Sequence, residues 1–108
     1  MMRNMAGMMK KVQDIQAQLE TLRGKLDSLH FSASAGNNYV TATVTGNGAL
    51  HSIKIDPSVI DPDDAEMLED LICQATRDAQ DVSSAEKARF LKEITGGLPL
   101  PPGINLPI

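Results

Sequence analysis

Eight apolar residues near the start of the chain, Met5, Met8, Val12, Ile15, Leu19, Leu22, Leu26 and Leu29, follow an unbroken 3-4-3-4-3-4-3 spacing. That spacing puts all eight on one stripe of an α-helix and is the seam of a coiled coil. A helix over residues 4–29 is about 39 Å long at 1.5 Å per residue, whereas a compact domain of this size has a radius of gyration of about 13 Å. The helix must outrun its own domain. A projecting stripe of leucine and methionine would face water, so the pattern predicts a second helix along it, and a symmetric second copy of the chain is the simplest source.

After Leu29 the period changes from heptad to alternation. Residues Phe31 to Ala35 form a short predicted strand, Gly36-Asn37-Asn38 has turn chemistry, and Tyr39 to Thr45 sets Val40, Ala42 and Val44 against Tyr39, Thr41, Thr43 and Thr45. The second strand therefore has one apolar face and one rich in hydroxyls. Gly46-Asn47-Gly48 suits a tight hairpin, and the chain returns through Ala49 to Ile55 with Ile53 and Ile55 on one side. Such a three-stranded antiparallel meander is small and has two open edges, which pairing with another copy would relieve.

Asp56-Pro57 stops the third strand, and Asp61-Pro62-Asp63-Asp64 carries an N-cap, a first-turn proline and first-turn acids. From there Ala65, Leu68, Ile72, Ala75, Ala79 and Val82 repeat the 3-4 spacing, a second seam small enough for close helix packing. Ser83 followed by Glu86 reads as a capping box, which would break the helix near Ser83 before a last stretch through Phe90, Leu91 and Ile94; an unbroken helix is the alternative. Gly96-Gly97 ends it. The fold class is thus α+β in a single domain: a projecting helix over 3–29, a β-meander over 30–56, a C-terminal helical region over 61–94 and a Pro/Gly-rich apolar tail over 95–108. The tail, with Leu98, Leu100, Ile104, Leu106 and Ile108, either packs on the dimer or stays disordered.

Composition narrows the function. Aromatics are 3% of the 108 residues, Tyr39, Phe31 and Phe90, so stacking on bases is a poor binding mode for this chain. The formal net charge of −4 is unevenly spread: +2 over residues 1–30, zero over 31–60, −7 over 61–82 and +1 over 83–108. Two basic ends around an acidic middle allow a local anion-binding surface on an acidic protein. A lone cysteine, Cys73, leaves no intramolecular disulfide and fits a reducing cytosol. No signal peptide is read at the N-terminus, and no segment approaches 18 consecutive apolar residues.

The constellations that could carry chemistry mostly have structural readings. Asp61, Asp63, Asp64, Glu66, Glu69 and Asp70 resemble a metal cluster, but acids stabilise a helix start, and no register supplies the glycine and glutamate of a calcium loop. His30 and His51 are far apart in sequence, and no zinc spacing exists; they read as surface or strand residues. No serine sits in a nucleophile elbow, and the glycine turn leads into a strand where a phosphate loop needs a helix. Neither a cofactor nor catalysis is expected. The remaining candidates are basic: Arg3, Lys10, Lys11, Arg23 and Lys25 on the first helix, and Lys87, Arg89 and Lys92 on the last. Each alone is an ordinary solvated charge. Dimer symmetry doubles the set, and phosphate contacts add.

Several segments together resemble the YbaB/EbfC family of bacterial nucleoid-associated proteins. They are Arg3-Asn4-Met5-Ala6-Gly7-Met8-Met9-Lys10; Gly46-Asn47-Gly48 with Ile53-Lys54-Ile55-Asp56-Pro57; Asp61-Pro62 with Glu66-Met67-Leu68-Glu69-Asp70-Leu71-Ile72; Asp78-Ala79; and Thr95-Gly96-Gly97-Leu98. The resemblance covers nearly the whole chain. It implies a tweezer-like homodimer with projecting helices, located in the cytoplasmic nucleoid, that binds duplex DNA with little sequence preference and contributes to nucleoid organisation and gene regulation. It also implies DNA contact by the first and last helices, here 3–29 and 84–94, the segments in which the basic residues lie. Asp14, Glu20, Asp27, Glu86 and Glu93 interleave with those cations. The competing reading is a protein-interaction adaptor that docks a DNA-repair or replication partner through its methionine-rich helix tips and apolar tail.

Overall fold

The computed structural model describes the backbone of residues 2–96 and the side chains of residues 7–96. The side chains of Arg3 and Met5 and the tail from Leu98 to Ile108 lie outside the described residues. The chain runs as helix α1 (Met2–Ser28), strands β1 (His30–Ala35), β2 (Val40–Thr45) and β3 (Leu50–Ile55), two short 3-10 turns (Pro57–Val59 and Pro62–Asp64), and helix α2 (Ala65–Thr95). The three strands form one antiparallel sheet in the order β1-β2-β3. The fold class read from periodicity is the observed one.

The core lies between one sheet face and α2. Val40, Ala42 and Val44 are fully buried, as are Ala75 and Ala79 opposite them, and Ala35 joins the cluster. Alanine on the helix lets the backbone approach the sheet closely, while Phe31, Ala33, Ile53, Ile55, Leu68, Leu71 and Ile72 close the margins. On the opposite face the β1–β2 register aligns Ser32 with Thr43 and Ser34 with Thr41, and each pair of hydroxyls is hydrogen-bonded at 2.7 Å. The predicted apolar and hydroxyl faces of β2 are therefore both present.

Helix α1 leaves this base. Leu19, Leu22 and Leu26 are buried where α1 runs antiparallel to the last turns of α2, with Ile94 reaching the level of Ala17 and Gln18. Beyond that level α1 continues without a neighbour among the described residues: Val12 is half-buried, and Met8 and Met9 are 69% and 64% exposed. The result is a molecule measuring 72 × 20 × 20 Å with a radius of gyration of 19.6 Å, well above the compact value.

The join between α1 and the sheet depends on Gly46. Its N–H donates to the carbonyls of Leu26 (2.9 Å) and Leu29 (3.1 Å), satisfying orphan acceptors at the end of α1. A Cβ at this position would sit 2.8 Å from the Leu26 carbonyl oxygen and 3.0 Å from its Cα. Backbone atoms cannot swing aside, so close approach alone requires glycine here. The left-handed φ of the hairpin falls on Gly48, at +84°.

Two expectations are corrected, and the alternative left open at Ser83 is decided. Asp61 does cap, accepting from the Asp63 N–H at 2.9 Å, but it caps the 3-10 turn, and α2 proper starts at Ala65 without a side-chain cap. Helix α2 is unbroken through Ser83, so the capping box does not form. Val82 is 41% exposed; the buried row runs Ala75, Ala79, Ser83, because an i, i+4 ridge is what meets the sheet. Helix α2 ends as predicted, with Gly96 left-handed at φ +63° and its N–H on the Lys92 carbonyl.

Candidate nucleic-acid interface

The arm formed by α1 and the end of α2 carries the cations singled out from the sequence. Lys10 and Lys11 are exposed on the part of α1 that has no neighbour among the described residues. Lys11 and Lys25 stand fourteen residues apart, about 21 Å along the helix and on nearly the same side, because two heptads almost close four turns. Arg23 and Lys25 are exposed lower down, and Lys25 lies against Phe90 of α2. On α2, Lys92 is exposed and Lys87 half-buried.

Phe90 ties the two helices together. The Lys25 Nζ lies 5.2 Å from its ring centroid and the Arg89 guanidinium 4.7 Å, so one aromatic ring gathers a cation from each helix. The ring also lines a shallow cleft of about 330 Å³ with Ala17, Leu22, Lys25 and Ile94. Arg89 is the cation most occupied by its own chain. Its guanidinium donates to Glu86 Oε2 at 2.8 Å and to Glu93 Oε1 at 2.9 Å, at i−3 and i+4 on the same helix. The hydrogen bond to Glu86 and then the carboxylate charges push its pKa further above its ordinary value, so it is a permanent cation with its field partly cancelled. Of the interleaved acids seen in the sequence, Glu86 and Glu93 thus act on one particular residue, while Asp27 accepts from the Asn47 amide.

Elsewhere the candidate chemistry resolves into structure. Asp61 holds a turn, Asp63 supplies the N–H it accepts from, and Cys73 is exposed on α2 and forms no disulfide. Sequence spacing missed one association: His30 and His51, twenty-one positions apart, meet with ring centroids 4.3 Å apart.

A cation-bearing helical arm raised on a small sheet is the build of a binding module. The chain belongs to the YbaB/EbfC DNA-binding family, whose family model matches residues 1–98. It is 42% identical over 106 residues to a nucleoid-associated protein of Rhizobium meliloti, spanning 98% of this chain and 99% of that one. Nucleoid-associated proteins of Brucella ovis and Brucella abortus match at the same identity and coverage. The crystal structure of an uncharacterized protein from Helicobacter pylori shares the fold, with a TM-score of 0.69 at 18% identity over 79% of this chain and 89% of that one. Among the described residues no helix is long and apolar enough to cross a membrane.

Proposed function

We propose that two copies of this chain join into a tweezer-like homodimer and grip duplex DNA through phosphate contacts from their helical arms, with little sequence preference. The bound form organises the nucleoid and influences gene expression from within the cytoplasm. One observation carries the reading: α1 projects past every other described element while presenting bare methionines on one side and Lys10 and Lys11 on the same turns. The methionine stripe calls for a second helix, and the second helix brings a second set of cations. Arg3, Lys10, Lys11, Arg23, Lys25, Lys87 and Lys92 supply the contacts, and Arg89 contributes less because two carboxylates hold it.

Fluorescence anisotropy with a duplex at two salt concentrations tests this. The log–log slope should be about −0.9 per phosphate neutralised, and scrambling the DNA sequence should matter far less than raising the salt. Loss of all binding at low salt would remove the reading.

The exposure of Met8 and Met9 supports a second reading, a partner-docking surface for a DNA-repair or replication protein. Apolar docking is nearly indifferent to salt, so the same experiment with such a partner in place of DNA separates the two.

A further inference from the structure

We propose that His30 and His51 together bind a divalent first-row transition metal of imidazole preference, Cu²⁺ ahead of Ni²⁺ and Zn²⁺. Simple alternation along β3 would put residue 51 on the same side as Ile53 and Ile55, the side covered by α2. The register prevents it. Thr43 pairs with Ser52, but Val44 pairs with Leu50, so His51 is the extra residue of a β-bulge. A bulge re-aims a side chain that alternation would misplace. Here the two rings meet across the middle strand, with centroids 4.3 Å apart and planes inclined by 41°.

Both histidines are exposed. Exposed on this face, each ring can turn about χ2 and present a nitrogen lone pair. Two imidazoles on one ion at 2.0–2.1 Å, with an angle near 90–110° at the metal, have centroids about 4.5–5 Å apart, which a small rotation of these rings reaches. Their backbones are already held in a hydrogen-bonded sheet, with His30 paired to Thr45, so little order is left to impose on binding.

The donor set selects the metal class. Among the described residues no group of three or more His, Cys, Asp or Glu side chains converges, so the site offers two imidazoles and leaves the other positions to water or an outside ligand. Ca²⁺ and Mg²⁺ require oxygen donors and are excluded; imidazole suits Cu²⁺, Ni²⁺ and Zn²⁺, in the order of their intrinsic affinities. The site lies on the sheet and is independent of the DNA reading of the arms.

The test uses the full chain with Cys73→Ser, which removes the exposed thiol as a competing ligand. Cu²⁺ is titrated by calorimetry and followed by electron paramagnetic resonance. The expected result is one equivalent per chain with hyperfine splitting from two imidazole nitrogens, weaker binding of Ni²⁺ and Zn²⁺, and no response to Mg²⁺. His30→Ala and His51→Ala should each weaken Cu²⁺ at least tenfold while leaving the metal-free melting curve unchanged, since both side chains are exposed. These are the only two histidines in the chain. Parental Cu²⁺ affinity in either single variant, or in the double variant, would overturn the proposal.

Discussion

The Ser83 hydroxyl donates to the Thr45 carbonyl at 2.8 Å, joining the middle of α2 to the end of β2. Ser83 is only 1% exposed and is the one buried polar residue of the described core. The same serine looks like a capping residue in the sequence. A hydroxyl can satisfy itself on a helix terminus or on a neighbouring strand, and here the strand wins, so the helix runs on and carries Phe90 and Ile94 out to meet α1.

Removing that bond should destabilise without touching DNA binding. Ser83→Ala is expected to cost about 1 kcal/mol, the net value of such a bond, because the Thr45 carbonyl still accepts from the Gly48 N–H at 2.9 Å and is not left without a partner. Thermal denaturation measures it, and the anisotropy titration with duplex DNA should be unchanged for the folded variant.

Gly46→Ala should cost more. The added Cβ meets the carbonyl oxygen and Cα of Leu26, and the N–H bonds that finish α1 would have to lengthen to make room. A loss of about 1–3 kcal/mol is expected from overpacking against backbone. Gly48→Ala, with open space around its Cβ, is strained only by its positive φ, and a comparison of the two melting curves separates the two causes.

Charges along the α1 stripe should fall into two classes. Leu19 and Leu22 are buried within one chain, so Leu19→Asp or Leu22→Asp places a carboxylate in a desolvated contact and should give unfolded or monomeric protein. Met8→Asp lies on the free part of the arm and should leave the fold intact while weakening self-association. Sedimentation of the wild type as a monomer at micromolar concentration would refute the shared seam.

Releasing Arg89 should strengthen DNA binding. Glu86→Gln with Glu93→Gln removes both carboxylates from the guanidinium and from the arm's surface. Affinity for duplex DNA should rise at low salt and the salt dependence should steepen, whereas Lys10→Ala with Lys11→Ala should make it shallower by up to about two units of slope.

The acid limb of the stability curve should report Asp56. Its carboxylate accepts from the Ser58 N–H at 2.9 Å, and that backbone bond, with the Ser58 side chain, holds its pKa below the ordinary 3.8. A depressed carboxyl stabilises the fold above the unfolded value and loses that contribution as pH falls through the folded one. Asp56→Asn should therefore flatten the stability curve below about pH 4, as followed by denaturation at stepped pH.

Much of this molecule is legible in local spacing. The heptad of α1, the alternation of β2, the proline and aspartate at each 3-10 turn and the glycine that ends α2 all act on residues within a few positions of themselves, so one chain of letters suffices to place them. The length of α1 against the size of the domain even predicted the projecting arm. What spacing cannot carry is a contact between segments. The bulge that brings His51 to His30 shows only in the pairing of β2 with β3. The need for glycine at position 46 comes from the end of α1, twenty residues earlier. Ser83 finds its acceptor thirty-eight positions away, and the Phe90 ring that collects Lys25 and Arg89 depends on α1 and α2 lying side by side. Local periodicity determined which faces are apolar, because burial follows from the repeat of the helix or strand. The tertiary structure alone decided which polar groups meet, because hydrogen bonds and cation contacts act over a few ångströms in space whatever their separation along the chain.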